Sequence, residues 1–99
     1  METSTNYEVR ITQSGRGGTI YYTENAQQIS FDWEFAINGA LLFVPSPRQW
    51  NDFCVGNDLP QAQNRHDEIL ETVCEEVLRQ KTSGAGYTIG DDYISISFS

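Results

Sequence analysis

Ile29-Ser30-Phe31-Asp32-Trp33-Glu34-Phe35-Ala36-Ile37-Asn38-Gly39-Ala40-Leu41-Leu42-Phe43-Val44 is the stretch whose reading decides the fold. Apolar side chains occupy every second position from Ile29 to Ile37, with Ser30, Asp32 and Glu34 between them, which is the pattern of a strand with one buried face. Asn38-Gly39 tolerates the positive φ of a tight turn, so Ala40–Val44 reads as the returning strand of an antiparallel hairpin. With Asn38-Gly39 as a two-residue loop, Ile37 faces Ala40, Phe35 faces Leu42 and Trp33 faces Val44, all on the core side. The opposite side then pairs Ala36 with Leu41 and Glu34 with Phe43. That face mixes charge with bulky apolar groups, and the segment that follows is expected to fold over Leu41 and Phe43.

Upstream, Tyr7, Val9 and Ile11 alternate with Glu8, Arg10 and Thr12, and Thr19–Thr23 gives a second extended run. The glycines around Arg16 mark the turn between them. A phosphate-cradling loop would lead into a helix N-terminus, and here it leads into a strand. Glu24-Asn25-Ala26-Gln27 supplies the next turn, so the first forty-four residues read as a four-stranded meander.

Downstream, Pro45 and Pro47 end the strand, and Ser46 reads as the cap of a short helix carrying Trp50, Phe53 and Cys54 on one face. Asp58-Leu59-Pro60-Gln61 has the form of a second helix start, with Asp58 as cap and Gln61 in the reciprocal capping position. Beyond it Ile69, Leu70, Val73, Cys74, Val77 and Leu78 form one apolar stripe at helical period, predicting a long helix packed on the sheet beneath Phe31, Trp33 and Phe35. Glu75 and Arg79 are spaced to pair at i, i+4, and Ser83-Gly84 provides a stop. Tyr87–Ile89 and Tyr93–Phe98, joined through Gly90-Asp91-Asp92, predict a closing hairpin in which Ile94, Ile96 and Phe98 share a face. Strands run together and helices run together. The expected class is therefore α+β over residues 1–99 as a single domain, with about six antiparallel strands and one long and one short helix.

Ninety-nine residues bury roughly 65% of the surface of the extended chain, enough to fold without a metal or a disulfide. No apolar run is long enough for a membrane span, and the first residues carry neither a basic nor an apolar segment, so a cytoplasmic location is expected. The formal net charge of −8 repels a phosphate backbone, which disfavours direct nucleic-acid binding and favours a basic protein partner. Cys54 and Cys74 lack the paired spacing of a zinc site and read as buried free thiols.

The chain contains no motif that identifies a reaction or ligand. Asp32 with Glu34, and Glu71 with Glu75, share faces as an acidic chain will make carboxylates do; Asp91-Asp92 lacks calcium-loop spacing and reads as a turn. His66, the sole histidine, reads as a residue at the edge of the core, and a nucleophilic pair with Cys54 or Cys74 is disfavoured because a thiolate in an apolar stripe is costly. No catalytic, cofactor-binding or metal-binding residues are assigned, and enzymatic activity is not expected. The expected function is that of an acidic module binding a basic protein, as inhibitor or neutraliser, through Trp50, Phe43, Asp32 and Glu34. The alternatives are a homo-oligomeric structural protein and a binder of a small ligand, or enzyme, with a pocket between the long helix and the sheet.

Overall fold

A computed structural model describes residues 7–24, 26–81 and 86–97. It contains six strands, β1 (Tyr7–Ser14), β2 (Gly17–Glu24), β3 (Gln27–Ala36), β4 (Gly39–Phe43), β5 (Gly86–Ile89) and β6 (Tyr93–Ser97), with helices α1 (Pro47–Gly56) and α2 (His66–Lys81) between β4 and β5. The strands form one antiparallel sheet in the order β1-β2-β3-β4-β6-β5. The α+β architecture follows the periodicities directly, because each strand alternates and each helix carries an apolar face that has to meet a sheet. Ser83, Gly84 and Phe98 lie outside the described residues.

Both helices cover the same side of the sheet. Ile20, Tyr22, Ile29, Phe31, Leu42, Ile94 and Ile96 from the strands join Trp50, Cys54, Ile69, Leu70, Val73 and Cys74 from the helices in one buried cluster. The stripe on α2 is thus the core face expected from its spacing. α1, in contrast, does not close over Leu41 and Phe43: its Trp50 and Phe53 rings stack on Phe31, with centroids 6.3 and 5.8 Å away, on the inner side of the sheet. The i, i+3, i+4 spacing identified the buried face of this helix without specifying which side of the sheet it meets.

The central hairpin turns one residue earlier than Asn38-Gly39 suggests. Trp33 pairs with Leu42, Phe35 with Ala40 and Ala36 with Gly39, so the loop is Ile37-Asn38. Asn38 takes the positive φ of 59°, and Ile37, expected in the core, is 94% exposed at the tip. The reason lies on the far side of β4. Gly39 pairs with Ser97, and a Cβ there would run into the carbonyl oxygen of Ile96, so this glycine is needed for close strand approach and not for the turn. Because the pairing shifts by two residues along β4, every side chain keeps its face.

The second helix also begins later than expected. Asp58, instead of capping a helix, takes φ of 61° just past α1. The next amide, of Leu59, bonds back to the Cys54 carbonyl at 2.8 Å, and the Leu59 side chain is fully buried. Burying Leu59 commits this segment to terminating α1; a single 3-10 turn, Pro60–Ala62, then leads to α2 at His66. Arg79 pairs with Glu76 rather than Glu75, at 2.6 Å and spacing i, i+3.

Candidate functional site

Two regions and two buried groups need explaining. The first region is the helix-free face of the sheet. The register aligns Thr19, Asp32, Phe43 and Tyr93 in one row across β2, β3, β4 and β6, and Glu34, Leu41 and Ser95 in the next. Phe43 and Tyr93 are 43% and 44% exposed and form the terminal pair between the adjacent strands β4 and β6. Among the described residues neither Asp32 nor Glu34 forms an ion pair. On the same face Arg10 lies over the Tyr21 ring, 4.7 Å from its centroid. Three of the four expected contact residues, Phe43, Asp32 and Glu34, therefore come together. The fourth does not: Trp50 is 1% exposed and belongs to the core on the opposite side.

The second region is a hollow of about 270 Å³ between α2 and the inner face of the sheet, with Trp33, Phe35, Ala40, Val77 and Ile96 among its walls. It exists because two inner-face positions lack bulk, Gly18 between Gln13 and Trp33, and Ala40 between Phe35 and Ile96. A Cβ at Gly18 would collide with the Thr12 carbonyl oxygen. That same oxygen accepts the Trp33 indole N–H at 3.0 Å. Gly18 thus gives the indole a path to its acceptor.

The first buried group is ionic. Glu24, written into a turn by its neighbours, is the buried last residue of β2. Its carboxylate accepts from Arg65 Nη1 and Nη2 at 2.9 and 3.1 Å and from the Tyr22 hydroxyl at 2.7 Å. Arg65 also reaches Glu68 at 2.8 Å. Burial alone would push the Glu24 carboxyl up, but the hydrogen bonds from Arg65 and Tyr22 outweigh it and hold the group below the ordinary range. Burial and the bond to Glu24 push the Tyr22 phenol up, so it remains a donor. This fork–fork pair fixes the start of α2 to the end of β2. Neither partner was recognisable as functional, because 41 residues separate them.

The second buried group is His66, whose Nδ1 lies 2.8 Å from Asp67 Oδ1 and whose ring meets Trp50 edge-on at 5.3 Å. Its Nε2 is buried and has no partner among the described residues. His66 therefore lies at the edge of the core, and no hydrogen bond joins it to either cysteine among the described residues. Nor do three His, Cys, Asp or Glu side chains converge there to hold a metal ion. No helix among those residues is long and apolar enough to cross a membrane.

No family model, curated protein or solved structure matches the chain. Cys54 and Cys74 are free and buried, and burial pushes their thiols up to about 11 and about 12, with Glu71 and Glu75 adding to the shift at Cys74. Both are poor nucleophiles at neutral pH. Titration of the native protein with an aromatic disulfide at pH 7.5 (roughly one unit below a free thiol) is expected to show negligible release within minutes, and two thiols after denaturation. Rapid native labelling of either would place a reactive cysteine at the surface.

Proposed function

We propose that the helix-free face of the sheet docks a basic protein. The observation that carries this reading is the exposed Phe43–Tyr93 pair where β4 ends and β6 begins, with Asp32 directly opposite Phe43 and Glu34 one row away. An aromatic anchor supplies contact area at low entropic cost, and flanking carboxylates select cationic side chains and accelerate encounter. The net charge of −8 acts in the same direction over longer range. Arg10 over Tyr21 provides an internal example of a guanidinium resting on this face. The platform is stiff, because β3, β4 and β6 each have a strand on both sides.

The test compares partner recovery from source-cell lysate by the wild type, by D32K/E34K, and by E71K, which reverses an exposed charge on α2. A stoichiometric basic protein is expected with wild type and E71K. It is expected to elute as ionic strength rises, and to bind D32K/E34K on the order of 10–100-fold more weakly. Equal recovery by D32K/E34K, or no stoichiometric partner at low as well as physiological salt, would sink the proposal. F43A separates anchor from steering: it is expected to speed dissociation while leaving the association rate within about threefold.

A further inference from the structure

The hollow on the other side of the sheet has a different character from the acidic face. We infer that it is a binding site for a small, uncharged aromatic molecule carrying one hydrogen-bond donor. Its volume, about 270 Å³, compares with the roughly 150 Å³ apolar cavity that accommodates benzene. A bicyclic ring, or a single ring with a short substituent, therefore fits. The walls are prearranged. Trp33 and Phe35 meet edge-on with centroids 4.9 Å apart and planes at 88°, and the indole N–H bonded to Thr12 O at 3.0 Å fixes that corner. A third ring entering it can stack on one ring while meeting the edge of the other, the two arrangements aromatic groups favour.

Polarity narrows the class further. Among the described residues lining the hollow, Gln13 alone has a polar side chain other than the indole already engaged. Its Nε2 donates to the Gly15 carbonyl at 3.3 Å, which leaves Oε1 as an acceptor for an O–H or N–H on the ligand. Among the described lining residues none is a cation, so an anionic ligand would lose hydration without compensation from them in a chain of net charge −8. These walls disfavour a carboxylate-bearing molecule and suit a phenol- or indole-like one. Partly exposed Phe35 and exposed Gln13 place the entrance at the end of the sheet, away from Asp32, Phe43 and Tyr93. Occupancy of the hollow and docking on the outer face are consequently separable.

Methyl-resolved NMR of the intact protein, titrated with indole, 1-methylindole and indole-3-acetate, tests the assignment. Saturable shifts of the Val77 and Ile96 methyls are expected with indole. Weaker binding is expected with 1-methylindole, which lacks the donor, and none with indole-3-acetate, which carries the charge. One neutral hydrogen bond corresponds to a difference of about two- to tenfold between the first two probes, and Gln13→Leu, a change at the exposed rim, should abolish that difference. Ala40→Leu, which fills the hollow, should remove indole binding. Absence of saturable shifts with indole in the wild type would overturn the inference, as would indole-3-acetate binding equally well. Undiminished indole binding by a folded Ala40→Leu protein would do the same.

Discussion

Replacing Trp50 with alanine is expected to lower the free energy of unfolding by about 3–5 kcal/mol. The side chain is almost wholly buried, stacks on Phe31 and meets the Phe53 ring at a tilt of 34°, and donates its N–H to the Ala62 carbonyl at 2.8 Å. Alanine removes the rings from a packed site and one of the two donors to that carbonyl, which keeps the Arg65 amide at 3.1 Å, so the cavity penalty dominates and the lost hydrogen bond adds to it. For a domain of this size such a loss lowers the melting temperature by roughly 15–30 °C. Trp50→Phe retains much of the stack but not the N–H, and should cost about 1–3 kcal/mol. Urea unfolding with an unchanged slope would measure both. A loss below about 1 kcal/mol for the alanine variant would mean that Trp50 is a surface residue, as its spacing alone also permits.

The second large effect concerns Arg65, whose loss reverses the slope of stability against pH that Glu24 contributes. In the wild type the Glu24 carboxyl is held below its ordinary value of 4.5, so its contribution is fully present above that value and is lost as pH falls through the lowered one. Arg65→Met removes the stronger of the two hydrogen-bonding influences and leaves burial, the largest cause acting on Glu24, opposed only by Tyr22. The carboxyl then titrates above its ordinary value. The folded variant binds a proton more readily than the unfolded chain and gains stability as pH falls through the raised value, the opposite slope. Near neutrality the variant is expected to be about 2–4 kcal/mol less stable than wild type, because a charge is left buried without its partner. Glu24→Gln leaves Arg65 paired with Glu68 and should cost less, about 1–2 kcal/mol. Unfolding free energies at a series of pH values for the three proteins check this; parallel wild-type and Arg65→Met curves would show that the pair does not govern Glu24.

Local periodicity carried most of the architecture. Alternation from Ile29 to Phe35 and the stripe from Ile69 to Leu78 each satisfy one geometry, so strand and helix were legible residue by residue. What was not legible depends on contacts between distant segments. The hairpin register is decided by Gly39 against Ile96, the side of the sheet chosen by α1 by Trp50 against Phe31, and the burial of Glu24 by Arg65. The site was legible to a similar degree. Alternation placed Asp32 and Glu34 on the outer face of β3 and hairpin pairing added Phe43, whereas Tyr93 joined them only when β6 was found beside β4. Trp50 was misplaced for the same reason as its helix. The Trp33–Phe35 corner needed the gap at Ala40, and no pattern within a single strand announces a gap.

From α2 the Gln80 side-chain amide donates to the Val9 carbonyl of β1 at 3.0 Å. Since β1 is one border of the sheet, this bond removes an acceptor that an incoming extended segment would use, and it places the helix in that segment's way. Recruitment of a seventh strand is thus steered to the other border, where β5 offers only four residues between Gly86 and Ile89. A protein with a broad open face acquires in this way a guarded flank, and stacking into runaway fibrils is opposed at the longer of its two margins.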